Sequence, residues 1–417
     1  MRLFRPVFGE SPTSPGHPLT STIVFLTAKR FQNNPMLRLY RMAFEGVNEV
    51  VISCNDHLDQ SPDSAGTFVP APKFYWGYFQ KLFSTRSGRS DSGMVDAMIK
   101  SFCAACFVLD YAWANLRQLI RVYPAVKGKR VCHVVAVDGD LLLAAYLLSR
   151  LTRAKFVYSV YEIWPDQIAV ATRLQAAARW VMVRIEALYC HRTDRILTVS
   201  KTWTRYIRRR YGLSPDKFFE VAVCPDVVQT KAEDLNTRSV LKLHYHGVFM
   251  LSRGLDELIK SFDGLRGAEL YLRGFGPDEA SLREMVDQLS LTDRVFFLPP
   301  VPLTELVVSG RDYDVGIILA KRDTANGRMC TGFKCFEYLN SGLMLLAPSS
   351  WPLRDFLREN PCGTTYGWPD ADALRQRIEF LIKNVSGVMA MKAASRMAAK
   401  EFNSVEQARV LRAAFDA

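Results

Sequence analysis

The sequence predicts an α/β protein made of two Rossmann-like domains that face each other across a cleft. Three observations lead there. At 417 residues the chain is too long for one ordinary hydrophobic core, and two domains are its natural division. Short apolar runs alternate with segments of helical spacing along most of its length. The runs are apolar at nearly every position, not at every second one, which marks parallel strands covered on both faces.

Residues 1–20 are broken by prolines and read as a flexible lead without the apolar stretch of a signal peptide. "STIVFLTA" at 21–28 mixes β-branched and aromatic residues and reads as a buried strand. Helical spacing in "NNPMLRLYRMAFEG" and a second strand, "VNEVVISC", follow. Residues 56–90 read as irregular and basic, and a long helix is predicted from about Asp91 to Tyr123. The strands "VCHVVAVD", "AKFVYSVYE" and "RILTVS" then alternate with helices, up to the basic helix "KTWTRYIRRRYG". Residues 229–239 are polar and aperiodic, the best linker in the chain. They separate an N-terminal domain at 21–230 from a C-terminal one at 240–385. In the latter "KLHYHG", "AELYLRG", "RVFFLPP", "YDVGIILA" and "LMLLAP" read as strands, each followed by a helix.

With 49% hydrophobic and 23% charged residues the composition is that of a folded globular protein. A formal charge of +12 and a pI near 9.3 favour an anionic partner: nucleic acid, an anionic membrane surface or a phosphorylated substrate. No RNP, KH or zinc-finger pattern accompanies the basic residues, so the expectation is no nucleic acid. The nine cysteines are scattered. Cys103 and Cys106 form a CxxC inside an apolar helical run, with no second pair at zinc spacing, and read as buried thiols in a reducing, cytoplasmic setting. No apolar run reaches the length, roughly eighteen residues, of a membrane span.

The stretch "TGFKCFEYLNSGLMLLAPSS", residues 331–350, reads as a loop, a short helix, a glycine stop and a buried strand. Lys334 and Glu337 project from one side of that helix near its first turn. Ligands of such sheets bind at the carboxyl ends of the strands, where this helix begins. Its free N–H groups and dipole favour an anion such as a diphosphate, and Lys334 adds a full charge. Glu337, a two-oxygen acceptor, can take both hydroxyls of a ribose. The alternative is a plain surface ion pair between the two.

In sequence order, "HYHGVFMLSRGLDELIKSF", "LYLRGFGPDEASL", "RVFFLPPVPLTEL", "YDVGIILA" and "FKCFEYLNSGL" resemble the donor-nucleotide domain of GT-B fold glycosyltransferases, closest to glycosyltransferase family 4. "FVYSVYEIWPDQ" and "RIEALYCHRTDRILTVS" resemble pieces of that family's acceptor domain, and "KEFNSVEQARVLRAAF" its terminal helix, so residues 400–417 are expected to return to the first domain. The resemblance implies that Gly247 opens the loop near the donor phosphates and that Arg253 and Lys334 contact the diphosphate. It also implies that Glu337 holds the ribose and that Gly274 and Gly276 allow close approach to the nucleotide. The implied donor is a nucleotide sugar, by default a UDP-sugar, used as substrate with no other cofactor. The implied acceptor is a saccharide or polyprenyl-diphosphate-linked saccharide, in polysaccharide biosynthesis. The sequence departs from the family at Met329, where many members carry a glutamate eight positions before the ribose-binding one, and at Val248, where a basic residue is usual. Retaining or inverting stereochemistry stays open.

Glycosyl transfer builds negative charge on the leaving diphosphate, which Arg253, Lys334 and a helix N-terminus can stabilise. No DxD-like pair stands at the donor position, so no metal is expected. An inverting reaction needs a general base. Glu162, at the end of "FVYSVYE", is the first candidate, with Asp166, Asp138 and Asp140 as alternatives; Glu186 reads as structural. His244 and His246 alternate along one strand face and read as satisfied strand histidines, or as neighbours of the phosphates. "PAPKFYWGYFQKLFSTRSGRS" at 70–90 interleaves aromatic rings with cations. Trp76, Phe79 and Phe83, with Arg208 and Arg209, are predicted to meet an anionic membrane at its inner face. Two other readings share the architecture: a sugar-nucleotide 2-epimerase, and a non-catalytic nucleotide-sugar-binding relative at the membrane.

Overall fold

The computed structural model describes residues 21–27, 35–44, 49–54, 67–70, 93–167, 173–226, 240–319, 329, 332–367 and 370–416. The expectations for the lead, for the 229–239 linker, and for Trp76, Phe79 and Phe83 lie outside these residues.

Two parallel sheets organise the chain. The first contains β1 (Thr22–Leu26), β2 (Glu49–Cys54), β3 (Thr67–Pro70), β4 (Val131–Val137), β5 (Lys155–Val160), β6 (Arg195–Thr198) and β7 (Phe218–Glu220). Its order is β3-β2-β1-β4-β5-β6-β7. The second contains β8 (Leu241–Val248), β9 (Ala268–Phe275), β10 (Val295–Leu298), β11 (Val315–Ile317), β12 (Met344–Pro348) and β13 (Gly363–Tyr366), in the order β10-β9-β8-β11-β12-β13. Every pairing is parallel. Both sheets therefore start at a central strand, wind to one edge, return, and wind to the other. That leaves a switch point between β1 and β4 and another between β8 and β11, where the loops at the carboxyl ends diverge and leave room for a ligand.

Both faces of each sheet are covered, which is why the strands read as nearly continuous apolar runs. In β1, Val24 and Leu26 belong to one buried cluster while Ile23 and Phe25 belong to the opposite one. In β8, Leu243 and Tyr245 join the core on one face, and His244 and His246 point to the other. Two strands, β3 and β13, and the helix Val385–Ala399 had no distinct place in the sequence reading. That helix is anchored by Lys392, whose Nζ donates to Asp314 Oδ1 at 2.7 Å and to the Tyr313 carbonyl at 3.0 Å. The long helix runs Gly93–Val126.

The chain ends by crossing back. Helix Ser404–Asp416 packs Leu411, Ala414 and Phe415 into the core around β1 and β4. Phe415 meets Phe44 at 4.8 Å and the His133 ring at 4.8 Å, and the Ala222 N–H donates to Gln407 at 2.8 Å. The two halves also touch where helix Lys201–Tyr211 meets helix Trp351–Glu359. Arg205 pairs with Asp355 at 2.8 Å, Lys201 with Glu359 at 2.7 Å, and Thr202 donates to Asp355 at 3.3 Å.

Glu186 is structural, as its place in a helix suggested. It is enclosed in the first core, where it accepts from the hydroxyls of Tyr158, at 2.6 Å, and Tyr211. Burial pushes its pKa up to about 7, because a carboxylate out of water loses hydration that the hydroxyls only partly replace. The folded pKa lies above the unfolded one, so this group's contribution is fully present below about pH 4.5 and falls as pH rises through 7. Glu186→Gln should therefore flatten the loss of stability between acid and alkaline pH by about 1–3 kcal/mol. Urea unfolding of both proteins at pH 5 and pH 8 checks this; parallel pH dependences would refute it.

Candidate active site

The second sheet's switch point gathers most of the residues that the sequence singled out. Gly247 is the next-to-last residue of β8, and Lys334 and Glu337 lie on the helix Phe333–Ser341, which follows β11. Gly316 on β11 brings that helix close, since a β-carbon there would stand 2.3 Å from the Tyr338 ring. Tyr338 then ties three elements together. Its hydroxyl donates to the Ile317 carbonyl at 3.2 Å and accepts from the His246 N–H at 3.2 Å.

Lys334 and Glu337 are not paired with each other; each reaches to β8. The Lys334 ammonium stands 4.4 Å over the Tyr245 ring and 3.3 Å from its hydroxyl. It also lies 2.7 Å from where a β-carbon on Gly247 would be, and Gly247 sits at φ 140°, a region that disfavours side chains. A larger residue there would displace the cation. Glu337 Oε2 lies 2.7 Å from His246 Nε2. The helix N-terminus behind them has Gly332 as its cap residue and no acidic residue in its first turn. The positive end of a helix dipole and an ammonium thus converge, a combination that holds phosphate groups.

Arg253 lies in the loop after β8, at the end of the short helix Leu251–Arg253, half-buried, with its Nε buried and without a hydrogen-bond partner. Asp278 clasps this loop to the one after β9: its carboxylate accepts from the Leu251 N–H at 2.7 Å and its own N–H donates to the Phe249 carbonyl at 3.3 Å. Gly274 and Gly276 serve this clasp. A β-carbon on Gly274 would stand 2.0 Å from the Gly247 carbonyl oxygen, and one on Gly276 2.2 Å from that of Phe249. Backbone against backbone therefore accounts for both glycines without a ligand. His244 is buried and stacks on Tyr313 at 4.3 Å.

In the first sheet Glu162 lies half-buried in the turn after β5. Asp138 organises that turn: its Oδ1 accepts from the Tyr161 N–H at 3.0 Å and the Glu162 N–H at 2.8 Å. To do so Asp138 adopts φ 62° with ψ −179°, a conformation costing a non-glycine residue about 1–3 kcal/mol, at the carboxyl end of β4 beside the first switch point. Asp140 accepts from the Trp164 indole N–H at 2.9 Å. Asp166 is corrected as a base candidate. Its carboxylate is fully enclosed and accepts from Arg179 at 2.5 Å, Arg210 at 2.5 Å and Tyr206 at 2.6 Å, and these bonds outweigh burial to hold its pKa below the usual range. Of the basic helix's arginines, Arg205 and Arg210 are spent on Asp355 and Asp166, while Arg208 and Arg209 remain exposed.

Met329 explains one departure from the expected pattern. Its side chain packs against the first domain's core, and its carbonyl accepts the Trp203 indole N–H at 2.6 Å. Beside it Phe333 stacks on Tyr161 at 5.4 Å. The position that carries a glutamate in the resembled family here belongs to the contact between the halves. Neither Tyr245 and His246 as partners of Lys334 and Glu337, nor the roles of Tyr338, Asp278 and Trp203, were drawn from the sequence. The histidine next to Gly247 was the only hint. Among the described residues no cluster of three or more His, Cys, Asp or Glu is arranged to hold a metal ion.

No protein-family model matches the chain, and no curated protein sequence matches it. Solved structures do. The chain superposes on sucrose-phosphate synthase from Thermosynechococcus elongatus with a TM-score of 0.68 at 14% identity, covering 95% of this chain and 98% of that one. A glycosyltransferase from Rickettsia africae gives 0.65 at 12% identity, covering 95% and 98%. HepE from Anabaena in complex with UDP gives 0.66 at 10% identity, covering 95% and 99%. The fold is therefore GT-B, two Rossmann-like domains in one chain, as the order of motifs implied.

The carboxylate clamp yields a prediction. Asp166→Asn leaves two guanidinium groups short of a buried counter-charge and should lower stability by about 2–4 kcal/mol. Thermal unfolding measures this. An unchanged melting temperature would show that the clamp contributes nothing.

Proposed function

We propose that this protein is a glycosyltransferase, closest to glycosyltransferase family 4. It moves a sugar from a nucleoside diphosphate, by default UDP, to a saccharide or lipid-linked saccharide in polysaccharide assembly. The observation that supports this most is Lys334 poised over Gly247 at a helix N-terminus, one turn ahead of Glu337, at the β8–β11 switch point. HepE, which shares the fold, is a complex with UDP in one structure and with UDP-glucose in another.

In this reading the diphosphate lies between the Phe333–Ser341 helix and the loop after β8. Lys334, the first-turn N–H groups and Arg253 stabilise the charge that grows on the leaving oxygen as the anomeric bond breaks. The buried Nε of Arg253, lacking a protein partner, suits a residue waiting for an anion. Glu337 accepts from the ribose hydroxyls with one oxygen while His246 steadies the other, so the carboxylate is held before the donor arrives. Glu162, presented by the Asp138-bound turn, takes the acceptor proton if the reaction inverts configuration. No metal is assigned a role. The site of action is the inner membrane face, where lipid-linked acceptors reside.

A second reading has one observation in its favour. Met329 is committed to the contact between the halves, so a relative that binds a nucleotide sugar without turning it over stays open.

Calorimetric titration with UDP, GDP and ADP, with and without magnesium, tests the proposal. One nucleotide should bind without metal, and Glu337→Ala should weaken it by about 1–3 kcal/mol, as loss of a charged hydrogen bond does. Lys334→Ala should cost a similar amount. Unchanged affinity in both variants would remove the site; binding with no transfer to any acceptor would favour the second reading.

A further inference from the structure

The long helix Gly93–Val126 leaves a row of apolar side chains facing water. Leu109, Trp113, Leu116, Ile120 and Tyr123 recur at steps of four, three, four and three, so they share one stripe of the helix. Leu109 is 69% exposed, Trp113 61% and Ile120 70%. The opposite side of the helix is ordinary core, with Phe107 and Tyr111 packed on Trp164, Val181 and Met182. Helix Arg173–Arg192, which supplies Val181 and Met182, exposes Trp180 and covers its ring with the Arg184 guanidinium at 5.2 Å. Single exposed apolar residues need no explanation, but a continuous row of this length does.

The charges beside the stripe identify its occupant. Between residues 106 and 130 the cations are Arg117, Arg121, Lys127, Lys129 and Arg130, and the only acid is Asp110. A second copy pressed stripe to stripe would set these cations against their own kind, with almost no acid to match them. An anionic lipid surface matches both parts: tryptophan and tyrosine rings seat at the headgroup boundary, and Lys and Arg meet the lipid phosphates. We propose that the stripe of helix Gly93–Val126 is the surface by which this protein docks on an anionic membrane.

The same helix is wired to the acceptor side of the molecule. Its Tyr111 hydroxyl donates to the Gly139 carbonyl at 3.1 Å, and Asn115 donates to the Asp140 carbonyl at 3.0 Å while accepting from the Ala144 N–H at 2.9 Å. These bonds hold the 138–141 turn, whose Asp138 carries the backbone of Glu162. A bilayer under the stripe therefore lies at a set relation to the loops that would meet a lipid-linked acceptor. This consequence rests on the proposed acceptor; the surface itself does not.

Flotation of the full chain with vesicles of phosphatidylglycerol and phosphatidylcholine, against phosphatidylcholine alone, tests the docking surface. The protein should float with the anionic vesicles and be released by salt. Trp113→Ser with Ile120→Ser should weaken partitioning roughly tenfold or more, and Arg117→Glu with Arg121→Glu should do the same, because apolar insertion and charge act together. UDP affinity and melting temperature, measured on the same samples, separate damage to the fold from loss of docking. Patch-dependent flotation without UDP binding would leave the surface standing and sink the glycosyltransferase reading. No flotation of the native protein, equal flotation of the variants, loss only on replacing Trp76, Phe79 and Phe83, or a native dimer that Ile120→Ser dissolves would each overturn the proposal.

Discussion

Everything at the candidate site depends on the β8–β9 pair, whose carboxyl ends run so close that no side chain fits between them. Gly247 and Gly274 are register partners, and a β-carbon on the second would collide with the carbonyl of the first. This approach starts the two following loops side by side, where Asp278 clasps them. It also clears the space above Gly247 into which Lys334 extends. A cation there is held by the face of Tyr245 instead of by a carboxylate, so its charge is not neutralised before a ligand arrives. An ion pair with Glu337 would have cancelled both.

Contacts between the halves differ in strength. The ion pairs of helix Lys201–Tyr211 with Asp355 and Glu359 are partly solvated, and such pairs contribute about 0–1 kcal/mol each. Burying a large apolar side chain contributes about 1.5–3 kcal/mol, so the terminal helix, with Leu411 and Phe415 in the first core, is the stronger tie. Trp203 and Met329 add a separate contact beside the site, because Met329, shortly before the Phe333–Ser341 helix, is bonded to the other half. A change in the relation between the halves would thus be felt at the N-terminus of that helix.

Carboxylates are used in three distinct ways on the N-terminal side. Asp166 faces two arginines and a tyrosine and is held ionised. Glu186, a short distance along the same network, faces two tyrosine hydroxyls and is pushed towards neutrality by burial. Asp138 accepts backbone N–H groups and fixes a strained turn. Glu162, the carboxylate whose position on that turn is set by Asp138, is left half-exposed at the strand end. Residue type alone would not have separated these roles.

By itself the sequence determined the fold class and the strands of both sheets that are buried on two faces, because such strands are apolar throughout and need no distant information to be seen. It also determined that Lys334 and Glu337 share a helix face, since that follows from a spacing of three. Short strands such as β3 and β13 escaped it, being defined by their neighbours more than by their own residues. The partners of Lys334 and Glu337 were decided by tertiary structure alone. Tyr245 and His246 stand some ninety residues away in the chain, and only the order of strands around the switch point brings them into contact. The same holds for the glycines, which permit one strand to approach another, and for Asp166, whose two arginines come from separate helices. Local patterns state what a segment can form; which charges meet is set by how the sheets are wound.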